Sequence, residues 1–156
     1  MSDQQARPAG RTMPRRALVD PRGPRFGAAI TTVVLAVVLL TAPSTTATIL
    51  LAVQTAVFAL GSLGGLRMAP YGWLYRVLVR PRLGPPSELE EEAPPRFAQT
   101  VGLIFAAVAL VAALLGWTAV SIAAVAMALV AAFLNAAFGY CLGCEMYLVL
   151  RRLTAR

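Results

Sequence analysis

The chain has two cysteines, and they stand as Cys141-Leu142-Gly143-Cys144. On a helix, residues three apart are neighbours with Cα atoms about 5 to 6 Å apart, within the span of a disulfide. Such a pair can cycle between dithiol and disulfide. If the chain bends at Gly139 and a new turn begins near Cys141, unsatisfied amides and the positive helix end favour the thiolate there. Cys141 is then the attacking thiol and Cys144 the resolving one. Glu145 opposes a thiolate by its charge, and its role in such chemistry is that of a proton acceptor.

Other uses of the pair narrow by counting ligands. A structural zinc site takes four Cys or His ligands, and the chain has two cysteines and no histidine. A zinc or iron-sulfur centre therefore needs two chains sharing it, and no metal or cofactor is expected within one chain. Covalent haem attachment needs Cys-x-x-Cys-His, and position 145 is glutamate. A quinone reductase that relays electrons across a membrane needs a second cysteine pair, which is missing. The competing reading is that both cysteines are small apolar packing residues.

The elements that position this pair are membrane spans. Of the 156 residues, 58% are hydrophobic and 13% charged, against roughly half apolar and a quarter charged in soluble domains. Four apolar stretches, Phe26 to Ala42, Ala47 to Leu66, Phe97 to Gly116 and Ala119 to Gly139, each have about the 17 to 25 residues needed to cross the hydrocarbon core. The expected fold is all-α, an integral membrane four-helix bundle. Little sequence remains for a soluble catalytic domain.

All fourteen basic residues are arginines. Arg7, Arg11, Arg15, Arg16, Arg22 and Arg25 precede the first span; Arg67, Arg76, Arg80, Arg82 and Arg96 lie between spans two and three; Arg151, Arg152 and Arg156 follow span four. The other two connections are uncharged. Because basic flanks stay in the cytoplasm, both termini are expected inside, in a cell membrane. The net charge of +7 then suits anionic headgroups, and with no nucleic-acid motif beside it, nucleic acid is not an expected partner. The first span is too long for a signal-peptide core and lacks a good cleavage site, so it is expected to be retained.

An internal repeat organises the chain. Pro24-Arg25-Phe26 opens span one and Pro95-Arg96-Phe97 opens span three, 71 positions later. Tyr75-Arg76-Val77-Leu78-Val79-Arg80 closes the first half as Tyr147-Leu148-Val149-Leu150-Arg151-Arg152 closes the second, 72 positions later. Two hairpins entering from the same side form parallel repeats. The expected division is a basic, disordered tail at 1–17, hairpins at 18–80 and 96–156, and a Pro- and Glu-rich linker at 81–95. At this offset the cysteine motif falls on Ala69-Pro70-Tyr71-Gly72, so the thiols are not a duplicated element. Pro70 is expected to stop span two, with Tyr71, Trp73 and Tyr75 in an interfacial aromatic belt. The acidic run Glu88 to Glu92 is expected to be solvated.

Inside the spans, Gln54, Gln99, Ser62, Ser121 and Asn135 are expected to face other helices. Ala124, Ala128, Ala132 and Ala136 form a small-residue stripe for close packing. Asn135, Gly139 and Gly143 form a ridge leading towards the cysteines. The absence of a mid-span charge argues against proton-coupled transport of the usual kind.

Asp20, the Pro95-Arg96-Phe97-Ala98-Gln99 segment with Gly102, and above all Asn135 through Tyr147 resemble the bacterial membrane family catalogued as domain of unknown function 4395, over roughly residues 18 to 152. The resemblance marks Asn135, Gly139, Cys141, Gly143, Cys144 and Tyr147 as motif positions without assigned catalysis. It implies companions of thioredoxin-like and sulfurtransferase type, hence sulfur or thiol redox metabolism. The expectation is a membrane protein whose cytoplasm-facing dithiol exchanges electrons or sulfur with such a cytosolic partner. The alternatives are a non-enzymatic scaffold with structural cysteines, in which oligomers are compatible, and a permease for a small sulfur species.

Overall fold

The computed structural model describes residues 17–155. Four long helices, α1 (Arg22–Thr41), α2 (Thr45–Leu63), α4 (Ala93–Leu114) and α5 (Thr118–Phe138), are joined by the short helix α3 (Pro70–Leu74) and followed by α6 (Leu142–Thr154). At 1.5 Å per residue, the 19 to 22 residues of the long helices span about 30 Å, the thickness of a hydrocarbon core. The protein is a multi-pass membrane protein. The expected tail at 1–17 lies, but for Ala17, outside the described residues.

Helix ends follow local chemistry. Ser44 caps α2, its Oγ accepting from the Ala47 N–H at 3.1 Å. Pro94 and Pro95 occupy the first turn of α4, where a missing N–H costs no bond, so α4 starts before Phe97. Span two stops at Leu63, ahead of Gly64 and of Gly65 with φ +79°. Pro70 therefore begins α3 rather than ending α2. After α3 the chain makes a π-helical turn, Tyr75–Val79, and a 3-10 turn, Arg80–Arg82.

The long helices pack in a closed ring, α1 on α2, α2 on α4, α4 on α5 and α5 on α1. The core holds Leu35, Val38, Leu51, Phe58 and Val125 among small residues. Ala106, Ala109 and Ala112 of α4 and Ala124 and Ala128 of α5 are buried, and their size lets backbones approach as membrane helices require. Outward-facing side chains are apolar too, Leu40 at 84% exposure and Leu63 at 76%; in a bilayer these face lipid tails.

Several polar side chains inside the ring satisfy one another. Gln54 is wholly buried; its Nε2 donates to Thr31 Oγ1 at 3.4 Å, and its Oε1 accepts from Tyr71 Oη at 2.8 Å. Ser62 and Thr100 share a 2.7 Å bond between α2 and α4.

Tyr71 and Tyr75 thus do not join an aromatic belt as expected. Tyr75 is 3% exposed, donates to Asp20 Oδ2 at 3.0 Å and packs on Phe26. Burial raises its phenol above the ordinary value, and the Asp20 bond adds in the same direction, so Tyr75 stays protonated as a donor. Of the three aromatics, Trp73 alone is exposed.

Nor is the acidic run simply solvated. Glu90–Glu91 pairs antiparallel with Leu18–Val19. Glu92 Oε1 accepts from the Leu66 N–H at 2.9 Å beside the Gly65 turn, and Glu91 pairs with Arg151 at 3.4 Å on the surface. The Glu92 carboxylate thus satisfies a backbone donor in the turn that follows α2.

The two Pro-Arg-Phe segments do matching things. Arg25 at the start of α1 donates from Nη2 to the Ala136 carbonyl at the end of α5. Arg96 at the start of α4 donates to the Ser62 and Leu63 carbonyls at the end of α2. Each arginine caps the second long helix of the other hairpin, where terminal carbonyls lack partners and the helix dipole is negative. The phenylalanines stay within their own halves: Phe26 meets Tyr75 at 5.9 Å and Phe97 meets Tyr147 at 5.8 Å, with similar tilts.

Candidate functional site

The cysteine motif occupies the joint between α5 and α6. Gly139 ends α5 with φ +69°, a left-handed conformation that favours glycine, and its N–H returns to the Asn135 carbonyl at 3.0 Å. Tyr140 and Cys141 carry the chain round, and α6 starts at Leu142 with Cys141 as its N-cap. The Cys141 Sγ accepts from the Cys144 N–H at 3.3 Å. Cys141 and Cys144 are joined as a disulfide with Cα atoms 5.2 Å apart. The bend expected at Gly139 and the new helix at Cys141 are both present.

This joint lies at the end of the bundle where α1 and α4 begin, α2 and α5 finish, and all the described arginines are placed. Arg25 belongs to it: its guanidinium carbon lies 3.5 Å from where a Gly139 Cβ would stand. Glu145 is in the first turn of α6, exposed, with its N–H bonded to the Cys141 carbonyl at 3.0 Å. Both cysteines are partly buried.

What fixes α6 in place is α4. A Cβ on Gly143 would lie 2.7 Å from both Cα and Cβ of Ala98, so only glycine lets α6 approach so closely. Tyr147, one turn further on, packs against Phe97. The first half makes the corresponding contact with the sizes exchanged, Gly27 of α1 standing against Tyr71 of α3, with 3.5 Å of room for a Cβ. The paired smallness of Ala98 and Gly143 was not legible in the sequence, although both positions lie in motif segments.

A cavity of about 570 Å³ opens between α1, α4, α5 and the start of α6. Its wall is mainly apolar, with Phe58, Phe105 and Met127, and includes Cys141. Gln99 and Asn135 also line it; unlike Gln54 and Ser62, their side chains make no hydrogen bond among the described residues. Of the ridge expected to lead to the cysteines, Asn135 and Gly143 line the cavity, whereas Gly139 lies beside Arg25. A second cavity of about 340 Å³, lined by Asp20, Tyr75, Arg76 and Arg80, shares Pro24, Gly27 and Gln99 with the first. No cluster of three or more potential metal-ligating side chains occurs among the described residues.

The family described as Domain of unknown function (DUF4395) matches residues 19–152, and the chain belongs to it. No curated protein and no solved structure matches the chain.

Proposed function

We propose that this member of the DUF4395 family is a membrane-bound thiol-disulfide exchanger, its Cys141–Cys144 pair trading electrons or sulfur with a thioredoxin-like or sulfurtransferase protein in the cytoplasm. The observation that carries this reading is the placement of the disulfide at a helix N-terminus on the arginine-bearing end of the bundle. In the reduced state the Cys144 N–H and the positive end of α6 favour a thiolate at Cys141. That thiolate attacks a partner disulfide, releases one partner thiolate and forms a mixed disulfide. Cys144 then attacks Cys141 Sγ, closing the intramolecular disulfide and freeing the second partner thiol. The reverse sequence reduces the protein and oxidises the partner. In this scheme Glu145, exposed in the first turn of α6 and next in sequence to Cys144, takes the resolving proton.

The membrane is the bacterial cell membrane, with the arginine-bearing end in the cytoplasm, as the positive-inside rule directs. Two related hairpins entering from that side account for the matched Arg25 and Arg96 caps and the matched ring pairs.

A membrane-impermeant dithiol reductant tests orientation and reactivity together. It is expected to reduce Cys141–Cys144 in inverted membrane vesicles and to leave it intact in whole cells, as read by thiol-specific mass tagging. Reduction in whole cells would overturn the orientation. A disulfide that resists reductant from both sides would overturn the exchange reading.

A further inference from the structure

The cavity beside Cys141 has a chemistry the exchange reaction does not use. A cytosolic protein reaches the disulfide from the aqueous side, yet the cavity runs from Cys141 into the span region, to Thr31 of α1, Phe58 of α2 and Phe105 of α4. At that depth only a lipid-soluble molecule arrives in quantity. The aromatic and aliphatic wall suits a flat ring and a hydrocarbon tail. The two carboxamides, Gln99 on α4 and Asn135 on α5, each offer N–H donors that no group among the described residues takes. A volume of about 570 Å³ falls in the usual range for a small-molecule site. A molecule that is apolar, planar, has two carbonyl acceptors, is dissolved in the bilayer and is able to take electrons from a neighbouring dithiol is a quinone.

We propose that the cavity between α1, α4 and α5 binds a membrane quinone, held through Gln99 and Asn135, which reoxidises the Cys141/Cys144 dithiol. This rests on the dithiol exchange proposed above and supplies its terminal oxidant. The step balances: the two thiols lose two electrons and two protons as the S–S bond forms, and the quinone takes both, each carbonyl becoming a hydroxyl of the hydroquinone. No transmembrane cysteine relay is needed, because the cavity brings the quinone to the same end of the bundle as the thiols. The second cysteine pair whose absence excludes a relay is therefore not required. The other occupant such a cavity admits is a phospholipid acyl chain, which has no acceptor for the two amides and takes no electrons.

The test uses the full chain, reduced and reconstituted in phospholipid nanodiscs, mixed with a fully ring-substituted benzoquinone bearing a short alkyl tail, so that thiol addition to the ring is blocked. Loss of quinone absorbance with formation of one Cys141–Cys144 disulfide per quinone is expected. Asn135→Leu and Gln99→Leu are each expected to slow this oxidation by about tenfold or more, the equivalent of one hydrogen bond, while exchange with a small soluble dithiol keeps its rate. That unchanged rate also serves as the check on folding, and Ala131→Phe, which fills the cavity one helical turn from Asn135, is expected to abolish quinone reduction. Dithiol exchange at a normal rate with no quinone reduction would overturn the quinone site and leave the exchange reading standing. Loss of exchange in the wild-type protein would overturn both. Quinone reduction indifferent to all three variants would place the oxidant elsewhere and overturn the site.

Discussion

A Cys144→Ser protein is expected to accumulate a mixed disulfide through Cys141 with a cytosolic protein, approaching one adduct per chain under oxidising challenge. With the resolving thiol gone, the covalent intermediate has no internal route of release. The adduct should disappear in Cys141→Ser/Cys144→Ser. A Cys141→Ser protein should trap much less, because its remaining thiol lies inside α6 while the amide bond and helix end favour the thiolate at position 141. Non-reducing gels followed by identification of the adduct make the comparison. Equal trapping through either cysteine would remove the assigned roles, and no trapping in either would favour a scaffold with structural cysteines.

The second large effect concerns the seat of α6. Gly143→Val should destabilise the protein by roughly 3 kcal/mol and detach α6 from α4, because its first added carbon already collides with Ala98 backbone at 2.7 Å. Exchange should fall with it, since the helix that carries both cysteines is no longer held against α4. Gly27→Ala, at the corresponding contact of the first half, meets Tyr71 Cβ at an ordinary 3.5 Å and should change stability by less than about 0.5 kcal/mol. Melting curves of the two variants in detergent check both. A Gly143→Val protein as stable and as active as wild type would mean that α6 is not held in this way.

How much of this was legible in the sequence depends on the range of the interaction. Span length and arginine placement are composition effects, additive along the chain, and they located four helices to within a few residues. The bend at Gly139 and the helix start at Cys141 are local, set by a left-handed glycine and an N-cap, and were legible for that reason. The inward turn of Tyr71 was not, because it depends on Gln54, seventeen positions away and on another helix. Aromatic residues near a span end read as interfacial by type, whereas a buried carboxamide needing a donor overrides that preference. The acidic run misled in the same way: Glu92 has a task only because the Leu66 N–H is left free by the turn at Gly65. The repeated Arg-Phe marked a boundary without disclosing that each arginine crosses to the other hairpin. Gln99 and Asn135 were singled out as polar residues requiring helix neighbours, and their place in a cavity wall depends on packing that no single segment encodes.

The most direct measurement is a redox titration of Cys141–Cys144 in native membranes, with the thiol fraction read by mass tagging across a series of dithiol buffers. A reversible two-electron couple is expected between about −270 and −120 mV, the range of proteins that exchange disulfides for a living. A potential below about −300 mV, where structural disulfides lie, or cysteines that stay reduced throughout, would contradict a working dithiol at the start of α6.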